Sequence, residues 1–382
     1  MQNYYTSQVH EVFDRLGIKL HLSRKKFMVS FILAMIQARD VLFKEIAVYL
    51  NDEAKVASNE VRIQNFFRDH ALNYEQIALL LSLFLPPKGK VTLSIDRTEW
   101  DFGVQQTNIL LVIASCKGID VPIYWSMLDN KSGNSNTQDR IDLVACCIKL
   151  LGEERIGLLL ADREFIGHKW LKYLKDKGIR FCVRIPKSHH LHSFELDEYA
   201  YPTGALSVQK AQTYLSQTQA KGRAYLYKRD VMVDKVWGNA YIGTDAKGEL
   251  LYLFGTAKAH LLAQLYKKRW RIEAFFQQIK KRGFDLENTH LKCNQKLKKL
   301  VAFVSIAYAI VTSVGRYEHL KVKAIPTKKH GYKANSFTRK GIDLFRERFR
   351  KQWRENIDDF NAIVQRFLHW IDAYFSPALL PE

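Results

Sequence analysis

The sequence lacks the means for a disulfide framework. Its five cysteines, Cys116, Cys146, Cys147, Cys182 and Cys293, are odd in number and never spaced as Cys-x-x-Cys, which also argues against a structural zinc site. They read as free thiols, and the adjacent Cys146 and Cys147 face different directions on a predicted helix, so they make no redox pair. Long apolar runs are missing as well. The longest, Val301 to Gly315, is shorter than the ~20 residues a membrane-spanning helix needs and holds Ser305 and Thr312, so a buried helix is expected there and no membrane partner. The opening MQNYYTSQVHEVFDRLGIKL has neither a basic start followed by an apolar run nor a small-residue cleavage site, and an intracellular, cytoplasmic protein is the expectation. Acidic residues are in short supply: 39 Asp and Glu stand against 59 Lys and Arg, a formal net charge of +20. Such an excess points to a polyanionic partner, nucleic acid before an anionic membrane surface.

What is present is a globular composition, 47% hydrophobic over 382 residues, enough for more than one packed unit. From Lys25 to Leu85 apolar residues recur three and four apart, until Pro86-Pro87 breaks the pattern. Within this stretch VLFKEIAVYL, a polar turn, Ser58 in N-cap position and NEVRIQNFFRDH resemble a helix-turn-helix, which would expose Arg62, Asn65 and Arg68 toward DNA. A plain helical hairpin has the same pattern. The period then becomes strand-like through VTLSIDRTEW, NILLVIASCKG and VPIYWSMLD, followed by a helix from about Asp139 to Leu151, the buried strand IGLLLADREF, the helix HKWLKYLKDKG and the strand IRFCVRIPKS. The order βββαβαβ is that of the ribonuclease H-like core, and the fold class expected is α/β with that core. Between Ser188 and about Thr256 helical periodicity disappears, and short antiparallel strands are predicted. The division is therefore a helical DNA-binding region at 1–87, a catalytic core at 88–290 with a β-rich insertion at 188–257, and a helical, basic region at 291–382.

Three acids stand out. Alternation in TLSIDRTEW sends Leu93 and Ile95 to one side and Thr92, Ser94 and Asp96 to the other. Asp162 follows LLLA at the end of an apolar strand, where parallel sheets place reactive groups, although a single Asp there also serves as a helix cap. In AQLYKKRWRIEAFFQQIKKRG, Tyr266, Arg269, Glu273 and Lys280 fall at offsets of three, four and seven, within about 60° of one helical face. Leu265, Ile272, Phe275, Phe276 and Ile279 form an adjoining apolar stripe to anchor that helix against the sheet. A surface helix with an Arg269–Glu273 ion pair has the same periodicity.

These residues resemble the insertion-sequence transposases of the DDE class that carry a Tyr-Arg-Glu-Lys signature. Y-x2-R-x3-E-x6-K is met by Tyr266, Arg269, Glu273 and Lys280, and the Asp-Arg-Glu that follows an apolar strand in the family appears as Asp162, Arg163 and Glu164. The family usually has a small or polar residue after the first Asp, where Arg97 stands here. The resemblance covers roughly Val91 to Gly283. It implies Asp96, Asp162 and Glu273 as catalytic ligands of two Mg2+ (or Mn2+) ions, with Arg269 and Tyr266 near a terminal phosphate and Lys280 on the DNA backbone. It also implies cleavage at the inverted repeats of an element, attack of the freed 3′ hydroxyl on target DNA, and a homodimer on double-stranded DNA at the nucleoid. Oxygen-only ligands suit Mg2+ or Mn2+ better than zinc. A two-metal nuclease without joining, and a catalytically silent DNA-binding regulator, share many of these features.

Other signals weigh less. His189, His190 and His192 lack partners at ligand spacing and read as a solvated loop. Trp237 and Tyr252 are both eligible as the insertion aromatic with which related transposases stack a displaced base. The basic segment from Lys321 to Lys340 suits phosphate contacts or a solvated surface.

Overall fold

The computed structural model describes residues 21–102, 105–128, 133–196, 202–222, 224–244, 248–329 and 331–352. Four helices come first: α1 (Leu22–Ala38), α2 (Phe43–Ala47), α3 (Val56–Asp69) and α4 (Tyr74–Ser82). The strands β1 (Val91–Phe102), β2 (Gln105–Cys116) and β3 (Ile119–Met127) follow, then α5 (Thr137–Leu151), β4 (Ile156–Ala161), α6 (His168–Asp176) and β5 (Phe181–Arg184). Next are β6 (His190–Leu196), β7 (Pro202–Lys210), α7 (Ala211–Ala220), β8 (Leu226–Val233), β9 (Val236–Thr244) and β10 (Leu250–Gly255). The last are α8 (Leu262–Tyr266), α9 (Trp270–Gln277), α10 (Asn294–Lys321) and α11 (Phe337–Gln352). Two compact units result, a sheet unit over Gly89–Ala274 and a helical unit that combines Met1–Lys88 with Phe275–Glu382. The two ends of the chain, separate regions in the linear reading, thus contribute to one unit.

The sheet unit is mixed α/β around a ten-stranded sheet of order β3-β2-β1-β4-β5-β10-β9-β8-β6-β7. Lys117 and Gly118 both take positive φ, the tight turn that lets β2 and β3 pair as a hairpin. β1 runs antiparallel to β2 and parallel to β4, and β4 is parallel to β5. The apolar run of β4 has Leu159, Leu160 and Ala161 fully buried, as a strand covered on both faces requires. Asn136 and Asp139 form a reciprocal capping box that starts α5.

The strands after β5 extend this same sheet through the β5–β10 pairing, and pair antiparallel with one another. The stretch is not wholly extended: AQTYLSQTQA forms α7, whose Ala211, Tyr214 and Leu215 are buried at i, i+3 and i+4. Its short apolar stripe is diluted by Gln, Ser and Thr, which hides the period. The Tyr214 hydroxyl accepts from Lys228 Nζ at 3.0 Å and lies 3.3 Å from Ser193 Oγ. β7 is the outer strand, with Leu206 and Val208 exposed.

In the helical unit, phenylalanines from three helices interlock: Phe27 stacks on Phe66 at 4.2 Å and Phe31 meets Phe303 at 4.8 Å. Asn59 is buried and donates to the carbonyls of Ala47 and Asn51 at 3.0 and 2.9 Å, so it fixes the turn between α2 and α3. The N-cap of α3 is Lys55, and Ser58 lies inside the helix, because helical geometry starts three residues earlier than the Ser signal suggests. α10, at 28 residues, is longer than its apolar run and long enough to cross a membrane, but 78% of its most apolar window is buried within the protein, as a core helix is. α10 and α11 cross at two glycines: a Cβ on Gly315 would collide with the Phe337 carbonyl, and one on Gly341 with the Val311 carbonyl. Of the helical region expected at 291–382, residues 353–382 lie outside the described residues.

Candidate active site

The parallel pairing of β1 and β4 ends at Ile95↔Ala161. Asp96 and Asp162 are the next residues along the two strands, so both aspartates lie just beyond the same end of the β1–β4 pairing, Asp96 within β1 and Asp162 directly after β4. Leu93 and Ile95 are fully buried. Asp96 Oδ1 accepts the Arg97 N–H at 2.8 Å, and burial pushes its carboxyl up to about 6, against the opposing pull of Arg269 and that N–H. After Asp162 the chain turns at once, with the Phe165 N–H bonded to the Asp162 carbonyl at 3.0 Å.

The signature stretch is not one regular α-helix, as its periodicity predicts. α8 ends at Tyr266, Lys267–Arg269 form a 3-10 turn, α9 follows, and Gln278–Arg282 form a π-turn. α8 is anchored by Leu262 and Leu265, which pack with Leu158, Leu160, Leu253 and Tyr241 from the sheet. That packing holds Tyr266 beside Asp162, and its hydroxyl donates to Asp162 Oδ1 at 3.1 Å. Burial first, and then Asp162, raise the phenol above its ordinary value, so it stays a donor.

Arg269 is the centre of the arrangement. Its guanidinium donates to Asp96 Oδ2 at 2.8 Å and to Glu273 Oε1, and lies 3.9 Å from Asp162 Oδ2. Its side chain is only 10% exposed. Burial acts to lower its basicity, and Tyr266, Asp96, Asp162 and Glu273 together outweigh burial and hold it above the ordinary value. The Arg269–Glu273 pair of a surface helix is therefore present, but its guanidinium is buried and shared with Asp96 of β1 and Asp162 just after β4.

Sequence reasoning registered Arg97 as a departure from the family pattern and gave it no role. Its Nε donates to Glu164 Oε2 at 3.1 Å, and its Nη1 reaches Glu99 and, at 3.3 Å, Asn108 Oδ1. Glu164 also accepts from Ser135 Oγ at 3.1 Å, and Ser135 Oγ accepts from Arg140 Nε at 2.8 Å. No short-range signal marks the Arg97–Glu164 pair, whose members are 67 positions apart.

The remaining candidates lie elsewhere. Lys280 is in the helical unit on the π-turn, where its ammonium pairs with Glu287 at 2.9 Å. Arg62 and Arg68 are exposed on α3; Arg62 lies over the Phe27 ring at 5.7 Å and Arg68 pairs with Asp69 at 2.7 Å. Two of the three histidines are not in a loop. His190 and His192 are on β6, and half-buried His189 bonds Asp234 at 3.0 Å, because the β8–β9 turn brings that acid to it. Tyr252 is buried, whereas Trp237 stacks on Phe194 at 5.1 Å.

The donors around Arg269 are oxygen only, which suits a hard divalent cation. Among the described residues no group of three or more His, Cys, Asp or Glu is close enough as placed to hold a metal ion. The carboxylates instead converge on the guanidinium, which occupies the oxygens that a cation would use.

Residues 124–310 match the family described as the transposase DDE domain. No curated protein matches the chain. Among solved structures, endonuclease V of Ciona intestinalis, crystallised with a 23mer DNA containing an inosine followed by a ribo-adenosine, is 10% identical, covers 56% of this chain and 88% of its own, and has a TM-score of 0.27. Endonuclease V of Bacillus subtilis is 11% identical, covers 59% and 95%, and has the same TM-score. Neither superposes well enough to bear on fold or chemistry. Over residues 124–310, just under half of its length, the chain is similar to the transposase DDE domain family.

Proposed function

We propose that this chain is a DNA transposase that cuts at the ends of an insertion element and joins the freed 3′ hydroxyl to target DNA. The observation that carries the reading is the convergence of Asp96, Asp162 and Glu273 on one buried guanidinium. Carboxylates gathered in a half-buried place repel one another and need a cation. The ribonuclease H-like reading of the core is supported by the order β3-β2-β1-β4-β5, with an antiparallel trio joined to parallel β4 and β5.

Asp96, Asp162 and Glu273 would hold two Mg2+ or Mn2+ ions. When bound, such a pair activates the attacking oxygen and stabilises the leaving one. Tyr266 keeps Asp162 oriented through its hydroxyl bond. Arg269, displaced from the carboxylates, offers a planar pair of donors to a phosphate. Lys280, Arg62 and Arg68 are proposed contacts to the DNA backbone, in keeping with the charge of +20, and the pairing of two element ends calls for two copies of the chain.

The test uses the full chain with DNA that carries the inverted repeats flanking its coding region. Nicking at the repeat ends that needs Mg2+ or Mn2+ and disappears in Asp162→Ala is expected. Supplied with a pre-cut end, the protein should join it to a plasmid. Cutting without joining would leave a nuclease, and binding without either would leave a regulator.

A further inference from the structure

The backbone ladder between β1 and β4 stops at Ile95↔Ala161, one residue before both aspartates. Beyond that point no backbone hydrogen bond of the ladder sets the distance between Asp96 and Asp162. The connection is resumed by side chains, through Arg97 immediately after Asp96 and Glu164 two residues after Asp162, joined Nε to Oε2 at 3.1 Å with each side chain only 14% exposed.

Each end of this link is itself held. Arg97 reaches Glu99 and Asn108, whose β1 and β2 positions are paired with each other. Glu164 takes the Ser135 hydroxyl on its other oxygen, Ser135 accepts from Arg140, and the Arg140 guanidinium lies 5.0 Å from the centre of the Phe165 ring. Donors and acceptors agree in direction throughout: Arg140 to Ser135, Ser135 to Glu164, Arg97 to Glu164. The turn that bears Asp162 is thereby tied to β1 on one side and to the start of α5 on the other.

We infer that Arg97 and Glu164 are a positioning pair that sets the separation of Asp96 and Asp162 for divalent-cation binding. The inference rests on the proposed metal-dependent reading. Neither side chain is a ligand; each acts through the aspartate beside it, as outer partners of metal ligands do. Arg269 bridges the carboxylates, and its guanidinium and an ion would compete for the same oxygens, so an ion requires Arg269 to withdraw. Arg97–Glu164 needs no such withdrawal and holds the spacing in both states.

The experiment is Mn2+ titration of the full chain, followed by electron paramagnetic resonance of the free ion, alongside the Mn2+ dependence of plasmid nicking and a thermal melt. Arg97→Gln and Glu164→Gln should each weaken Mn2+ binding by about 10- to 100-fold. The Mn2+ concentration for half-maximal nicking should rise in step, while the rate at saturating Mn2+ stays within about threefold. Arg97→Lys should recover part of the affinity. In the double variant the loss should not exceed that of the worse single one, since both remove the same link.

Single variants that melt lower but bind Mn2+ as the unaltered chain does would make the pair merely structural and overturn the inference. Losses that multiply in the double variant would do the same. Should Mn2+ binding depend on Asp162 yet ignore Arg97, only the positioning role falls. Binding indifferent to Asp162→Ala overturns the metal-dependent reading along with it.

Discussion

At the scale of single residues, Arg269 behaves as a resident counter-ion. It satisfies Asp96 and Glu273 directly and stands 3.9 Å from Asp162. A divalent ion needs the same oxygens, so removal of Arg269 should help the ion even though it removes a residue of the signature. In the absence of DNA, Arg269→Ala is expected to bind Mn2+ more tightly and to melt lower without metal. Added Mn2+ should then raise its melting temperature more than it raises that of the unaltered chain, because a ligand stabilises in proportion to its occupancy of the folded state. Equal or smaller stabilisation by Mn2+ would show that Arg269 does not compete.

Asp96 gives a prediction in pH. Its folded value, about 6, lies above the ordinary 3.8, because burial penalises the charge more than Arg269 compensates it. The folded chain therefore holds a proton that the unfolded chain releases between those values, and the Asp96 contribution to stability is present below about pH 4 and lost as the pH rises through 6. Under metal-free conditions Asp96→Asn should melt higher than the unaltered chain at pH 8, and the difference should shrink toward zero at pH 4. A constant difference across that range would contradict the burial argument. The outward facing of Asp96 from within β1 was legible in the alternation of TLSIDRTEW, and the position of Asp162 just after a strand in the apolar run before it. Their company was not: Arg97 and Glu164 meet across 67 positions, a tertiary fact that no local period encodes.

At the scale of elements, period served the long strands well and the signature stretch less well. Apolar alternation marks β1, and continuous apolar runs mark β4 and β5, because each strand's faces are buried in a simple way. The stretch from Leu262 to Arg282 keeps a helical spacing in sequence while its backbone passes through α, 3-10 and π turns. Spacing alone cannot distinguish these, since all three keep residues three to five apart on one side. α10 and α11 approach each other at Gly315 and Gly341, where any side chain meets backbone. Gly315→Ala and Gly341→Ala should each cost about 1–3 kcal/mol, as overpacked cores do. Thermal melts that match the unaltered chain would show that the helices can separate slightly without loss. Asn59→Ala should cost a similar amount, roughly 1–3 kcal/mol, because one buried and one part-buried carbonyl lose their donor.

For the whole molecule, the charge of +20 was legible from composition alone, and it predicts affinity for DNA that falls steeply with salt. Arg62 and Arg68 offer a way to apportion it. If both contact phosphates, Arg62→Gln together with Arg68→Gln should lower the slope of log affinity against log salt by up to about 2, and by less if Asp69 keeps hold of Arg68. An unchanged slope would remove α3 from the DNA interface. The joining of the two chain ends into one unit was not legible, because a contact such as Lys299 Nζ to the Phe67 carbonyl at 2.7 Å spans 232 positions.

The sheet ends at β7, where Leu206 and Val208 are 43% and 50% exposed. Such a margin is an invitation to self-association through strand addition, since an outer strand presents unpaired backbone groups next to greasy side chains. Handling of the purified protein should reflect it: Val208→Lys is expected to raise the concentration at which the chain stays dispersed, with nicking unaltered, in the way natural sheets blunt their margins with lysine.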